Sequence, residues 1–260
     1  MLKNIFLFIC LTFSAILNAQ NRGLYEKFQF IQNGDTLPYR ILLPENYDSS
    51  KAYPLVLFLH GRGESGNDNE KQLSLGSALF LRDSIRQKYP AIVVFPQCAA
   101  NSYWSNVHTV ADAKGHRTFY FVPDGEASSS MKLLLSFTSN LEVRYKIRKD
   151  QIYVMGLSMG GMGTFEIVRR KPGYFAAAVA ICGGADPATA LAMKKTKWWI
   201  FHGGKDDVVS PEFSEKMQAA LKKAGATVRY TVYPEANHNS WDAAFKEPEL
   251  LKWMFSVHRF

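Results

Sequence analysis

The chain is 260 residues long, 47% hydrophobic and 21% charged, and its 31 Lys and Arg outnumber its 23 Asp and Glu for a formal net charge of +8. That length and apolar content suit one large core and give no reason to divide the chain. The cations are scattered rather than clustered, which excludes a nucleic-acid partner as a working hypothesis and leaves a basic surface that could favour acidic polymers.

Residues 1–20 carry Lys3, an apolar stretch from Ile5 to Leu17 and then Asn18-Ala19-Gln20. This is the pattern of a secretory signal peptide, which leaves residues 21–260 as one domain. The apolar stretch is short for a bilayer crossing, and Cys10 within it lacks the small-residue surroundings of a lipoprotein cleavage site. Export to the periplasm or the extracellular space is expected, with no stable membrane span after processing.

Phe28–Ile31 and Leu37–Leu43 read as two strands around Asn33-Gly34-Asp35, a hairpin signal. Pro54–Leu59 is apolar without alternation, as in a parallel strand buried on both faces, and runs into His60-Gly61-Arg62-Gly63. Leu73–Lys88 is helical material, and Ala91–Phe95 is another buried strand. From Asn101 to Gly125 no period survives, and Tyr103, Trp104, Phe119, Tyr120 and Phe121 are interleaved with polar residues. A long irregular stretch in a compact domain is usually functional or disordered. Glu126–Tyr145 reads as a helix.

Next comes Tyr153-Val154-Met155-Gly156-Leu157-Ser158-Met159-Gly160-Gly161, where a buried strand enters a glycine-flanked serine and helical residues leave it. That context makes G-x-S-x-G a nucleophile elbow, with glycines where a Cβ would clash and Ser158 lifted above the sheet edge. Ala176–Ile181, Lys197–His202 and Thr227–Tyr233 are further strands, Ser210-Pro211-Glu212 opens a helix closed by Gly225, and Pro248 starts a terminal helix to about His258. Alternating strands and helices predict an α/β fold, a mostly parallel eight-stranded sheet with helices on both faces, whose chemistry sits at the carboxyl ends of the strands.

A serine hydroxyl needs a base within hydrogen-bond reach and a carboxylate to orient that base. Histidines 60, 202 and 238 all follow strands. An elbow of this kind receives its partners in the chain order serine, acid, histidine, which selects His238 and leaves His60 and His202 as loop-ordering residues. The acid belongs to the loop after Lys197–His202, where Asp206 and Asp207 are adjacent and spacing does not separate them.

The segments Leu59-His60-Gly61-Arg62-Gly63-Glu64-Ser65-Gly66, Gly156-Leu157-Ser158-Met159-Gly160-Gly161, Phe201-His202-Gly203-Gly204-Lys205-Asp206-Asp207 and Asn237-His238-Asn239-Ser240-Trp241-Asp242 resemble the α/β-hydrolase superfamily over nearly the whole mature chain. Within it the sequence looks most like secreted esterases grouped with feruloyl esterases, polyhydroxybutyrate depolymerases and predicted peptidases of prolyl-oligopeptidase type. The resemblance implies that Asp206, the first aspartate after His-Gly-x-x, is the acid. Of two oxyanion donors, the fold supplies the N–H of Met159, directly after the nucleophile, and the resemblance points to that of Arg62, with Gly63 as the alternative.

Trp104 and Trp241 are candidates for a substrate wall, since an aromatic face stacks on a phenolic or sugar ring, with two buried aromatics as the equal alternative, and Asn101–Gly125 is expected to form the acyl or alcohol pocket. The dispersed histidines lack paired ligand spacing, so no metal and no cofactor are expected. The leading expectation is a secreted serine carboxylesterase cleaving acyl esters, small or polysaccharide-linked, such as acetyl or feruloyl groups on plant polysaccharide. A serine peptidase of prolyl-oligopeptidase type and a non-catalytic polysaccharide-binding protein on the same fold are the alternatives. Finally, the usual strand order of the fold, 1-2-4-3-5-6-7-8, places two strands between Cys98 and Cys182. Three strand spacings, about 14 Å, exceed the roughly 7 Å limit for bridged Cα atoms, so both thiols are expected to be free.

Overall fold

The computed structural model describes residues 22–113 and 117–259; residues 1–20, read as the export signal, lie outside the described residues. The strands are β1 (Glu26–Gln32), β2 (Asp35–Leu42), β3 (Tyr53–Leu59), β4 (Ile92–Pro96), β5 (Val107–Ala111), β6 (Arg117–Phe121), β7 (Ile147–Leu157), β8 (Ala177–Ile181), β9 (Lys197–Gly203) and β10 (Val228–Tyr233). Eight of them form one sheet in the order β1-β2-β4-β3-β7-β8-β9-β10, which is the usual order of the fold the sequence resembles. Pairing is antiparallel from β1 to β4 and parallel from β4 to β10. Asn33 and Gly34 turn the first hairpin with φ of 54° and 86°. A two-residue loop needs positive φ at both positions, and these residue types tolerate it.

The helices are α1 (Ser77–Phe80), α2 (Asp83–Lys88), α3 (Ser129–Arg144), α4 (Met159–Arg170), α5 (Glu212–Lys223), α6 (Trp241–Ala244) and α7 (Leu250–Ser256). The central strands are buried on both sides and their side chains alternate between two apolar layers. Leu55, Leu57 and Leu59 of β3 join Phe137 of α3, Phe165 of α4 and Leu221 of α5 in one layer. Val56 and Phe58 join Leu79 of α1 and Trp253 of α7 in the other. The sheet is therefore held between two sets of helices, and its carboxyl edge is free to carry a site.

Two segments differ from expectation. Leu73–Lys88 is not one helix: Gly76 takes a left-handed conformation (φ 82°) above the Phe58 ring, where a Cβ would collide with it, and Arg82 is extended. Packing against the core overrides the local helical pattern. Residues 101–125, expected to be irregular, contain the antiparallel pair β5–β6, separate from the main sheet. Its inner face sets Phe119 and Phe121 edge-on against Phe213 of α5, with Met162 of α4 beside them.

The chain leaving this hairpin is fastened to α4 by a largely buried charge cluster. Glu166 accepts from Arg169 Nε at 2.6 Å and Arg170 Nε at 2.6 Å, while Arg169 Nη1 and Arg170 Nη2 donate to the carbonyls of Pro123 (2.9 Å) and Gly125 (2.7 Å). The Glu166 side chain is only 6% exposed. Glu166→Gln leaves two guanidinium groups without their counter-charge and should cost about 3 kcal/mol, a fall in Tm of about 10 °C by calorimetry. Cys98 and Cys182 are buried and free, with β3 and β7 between the strands they follow. Thiol titration of the denatured, unreduced chain from residue 22 onward should find both sulfhydryls.

Candidate active site

β7 ends at Leu157 and α4 begins at Met159, so Ser158 carries the whole reversal with φ 53° and ψ −118°. A non-glycine residue is strained there by about 1–3 kcal/mol. The surroundings leave no other path: a Cβ on Gly156 would run into the Gly160 carbonyl, and one on Gly160 into the Leu59 carbonyl of β3. The Ser158 N–H is held by Ile181 O of β8 at 2.8 Å.

His238 and Asp206 arrive from the loops after β10 and β9. His238 Nε2 lies 2.9 Å from Ser158 Oγ, and its Nδ1 lies 2.8 Å from Asp206 Oδ2 and 3.1 Å from Oδ1. The carboxylate accepts from Nδ1, so Nδ1 carries the hydrogen and Nε2 is left to accept the serine proton. Asp206 Oδ1 also accepts from Val208 N at 3.0 Å and Val209 N at 2.9 Å. Burial would raise the Asp206 carboxyl, but donors from His202, His238 and the Val209 backbone outweigh it and hold it well below the usual carboxylate range. Asp207 is exposed and reaches the histidine loop only through its N–H, 3.2 Å from Asn237 Oδ1. Of the two candidate acids, Asp206 is the one brought to His238.

The two loops can touch because Gly203 and Gly204 present no side chains where the chain of Pro234–Asn237 passes; a Cβ on Gly203 would collide with Asn237 O. The contact is closed by Gly204 N to Tyr233 O at 2.9 Å and Lys205 N to Ala236 O at 3.0 Å. Trp241 packs its edge against the His238 ring at 5.3 Å and is half-buried at the rim. Trp104 is different. It is fully buried, lies edge-on to His60 at 5.5 Å and fills the space over Gly163. It belongs to the core beneath the site, so at this residue the buried-aromatic alternative holds and the substrate wall does not.

The strip after β3 is positioned by His60, in the loop-ordering role expected of it, and by Gln97, which the sequence motifs did not single out. Cys98 N–H donates to His60 Nε2 at 2.9 Å, so His60 Nδ1 carries the hydrogen, and that atom lies 2.6 Å from Gly61 O. Burial pushes the His60 imidazole down to about 4 and keeps it neutral. Since Gly61 O and Arg62 N–H point in opposite directions across one trans peptide, this bond turns the Arg62 N–H away from His60. Gly61 comes so near the nucleophile that a Cβ there would sit 3.7 Å from Ser158 Cβ. Arg62 and Met159 are each the first residue of a helical turn, the positions whose N–H groups have no acceptor within the helix. The Arg62 side chain bends away to the carbonyls of Ala100 (2.7 Å) and Ser102 (3.1 Å). Gln97, fully buried, donates to Glu64 O at 3.1 Å and Asp68 Oδ1 at 2.9 Å, and accepts from Asn69 N at 2.7 Å. Its signal was its place directly after a strand.

Among the described residues, one grouping offers three potential metal ligands: Cys182, Asp206 and His238, with ligand atoms within 4.8 Å of one another. It coincides with the Ser–His–Asp arrangement, where Asp206 and His238 already bond each other.

A parallel sheet with a serine at the sharp turn after a central strand, and an aspartate and a histidine from later strand ends, defines an α/β hydrolase. The chain belongs to the Phospholipase/Carboxylesterase family, whose pattern matches residues 46–248. It is 30% identical over 138 residues to the poly(3-hydroxybutyrate) depolymerase of Ralstonia pickettii, which covers 53% of this chain and 26% of that protein, about a quarter of the relative's length. A thermostable esterase structure superposes with a TM-score of 0.82 at 30% identity, over 92% of this chain and 64% of that one. A ferulic acid esterase from Anaeromyces mucronatus, solved with ferulic acid, shares the fold at a TM-score of 0.62 and 15% identity, over 85% of this chain and 87% of that one.

Asp206→Asn removes the charge that faces His238 and should lower ester turnover roughly a thousandfold or more, whereas Asp207→Asn should change it little. Steady-state kinetics of the two variants with p-nitrophenyl acetate check the ranking.

Proposed function

We propose that the protein is an exported serine carboxylesterase acting through an acyl-enzyme on Ser158, with acetyl or feruloyl esters of plant polysaccharide as its substrate class. The observation that carries this reading is the unbroken line from Ser158 Oγ through His238 to Asp206. Ser158 Oγ attacks the ester carbonyl carbon as its proton passes to His238 Nε2. The resulting oxyanion faces the N–H groups of Met159 and Arg62, at the positive ends of two helical turns. The bond to the alcohol oxygen then breaks, His238 returns the proton to that oxygen, and water repeats the sequence to release the acid and free Ser158. Asp206, held as a carboxylate, stabilises the imidazolium at both steps.

Aromatic acyl groups are favoured by the half-buried rings of Phe121 and Phe213, which the hairpin and α5 set edge to face over buried Phe119 and Met162, the latter one helical turn after Ser158. The ferulic acid in the Anaeromyces mucronatus neighbour and the ester chemistry named for the other relatives agree with this class. Export rests on Lys3 and the apolar stretch Ile5–Leu17. No helix of the described residues is long and apolar enough to cross a membrane.

Ser158→Ala should remove at least roughly a thousandfold of ester hydrolysis with little loss of folding. Wild-type turnover should fall in acid, where an imidazole base can no longer accept the serine proton. A panel of p-nitrophenyl esters, methyl ferulate, acetylated xylan and aminoacyl amides distinguishes the classes. Esters should be cleaved far faster than amides, and amides cleaved as fast as esters would replace the esterase reading with a peptidase.

A further inference from the structure

The segment Phe201-His202-Gly203-Gly204-Lys205-Asp206 sets a second histidine four residues before the acid, and the chemistry above makes no use of it. His202 lies near the end of β9 and is fully buried. Its Nε2 is 2.9 Å from the Val209 carbonyl and 3.2 Å from Asp206 Oδ2. Both of those oxygens only accept, so Nε2 carries a hydrogen shared between them. Its Nδ1 is 2.7 Å from Ser214 Oγ of α5, and that hydroxyl is also 3.1 Å from Gly183 O, beyond β8.

A carboxylate offers about four lone-pair sites. At Asp206 the N–H groups of Val208 and Val209 meet Oδ1, while His238 and His202 meet Oδ2 from two directions. The carboxylate is saturated, with no rotation open to it that keeps all four donors. Ordering of the loop would need only the bonds from His202 to Val209 and Ser214. The approach to Oδ2 adds something that loop order does not require.

We propose that His202 is a positioning residue of the hydrolytic site, a second histidine that locks the Asp206 carboxylate in the orientation His238 needs and tempers its pull on the His238 proton. The inference rests on the reading of Ser158, His238 and Asp206 given above. The titratable groups facing Asp206 are His202, His238 and the thiol of Cys182, which burial first and the Asp206 charge second keep neutral. Without the donor at Oδ2, the carboxylate attracts the imidazolium proton more strongly.

The test compares His202→Phe, His202→Gln and His202→Asn with the wild type, each counted by fluorophosphonate titration of its reactive serine so that unfolded protein drops out. The Gln amide nitrogen reaches the place of Nε2 and the Asn amide nitrogen that of Nδ1, so the two variants separate the bond to Asp206 from the bond to Ser214. In His202→Phe, kcat for p-nitrophenyl acetate per titrated serine should fall roughly tenfold to a hundredfold with KM little changed. The acid limb of kcat/KM should move to higher pH. His202→Gln should recover most of both effects and His202→Asn little of either. Unchanged kcat and acid limb in His202→Phe, an acid limb moved to lower pH, or rescue by Asn equal to that by Gln would overturn the proposal. A wild-type protein that neither labels nor turns over ester would instead remove the reading on which the proposal rests.

Discussion

Everything at the functional edge depends on how closely the chain can cross itself at the end of β7. The Gly160 backbone lies against the Leu59 carbonyl of β3, and Gly156 lies against Gly160, at separations that exclude any Cβ. Only because both are glycine can the strand reverse into a helix within one residue, and that residue then occupies φ 53°, ψ −118°. The strain is borne by the surrounding sheet, which fixes Ser158 N to Ile181 O and buries the flanking residues. It leaves the hydroxyl projecting and the next N–H, that of Met159, at the start of a helix.

The same device recurs where the acid and histidine loops meet. Gly203 and Gly204 let the Pro234–Asn237 chain lie directly on the loop after β9, so backbone hydrogen bonds, rather than long side chains, set the distance between Asp206 and His238. Asn237 adds one side chain to this joint, its Oδ1 accepting from both His238 N and Asp207 N. A site held by backbone contacts has few rotamers to lose, and small displacements of a reacting group are expensive in rate.

Electrostatics is arranged around neutral and ionised groups kept apart by burial. His60 is buried and neutral, which lets it donate to one carbonyl and accept from one N–H. Asp206 is buried yet ionised because four donors compensate for lost water. Beside α4 the β5–β6 hairpin brings aromatic rings over Met162, and the Glu166 cluster anchors the chain that leaves it.

The amino-acid sequence by itself determined a mostly parallel sheet and the elbow, because apolar runs of strand length and glycine requirements are local properties, while the strand order was that of the fold the sequence resembles. The same order separated Cys98 from Cys182. Identity and spacing also singled out Ser158 and His238, while adjacency alone left Asp206 and Asp207 equal. Tertiary structure decided what depends on the direction of a side chain. It turned Asp206 inward and Asp207 outward, buried Trp104 beneath His60 while leaving Trp241 on the rim, and brought His202 to the carboxylate. It also broke Leu73–Lys88 at Gly76 and paired β5 with β6, since packing on Phe58 and on Phe213 outweighs the weak propensities of those segments.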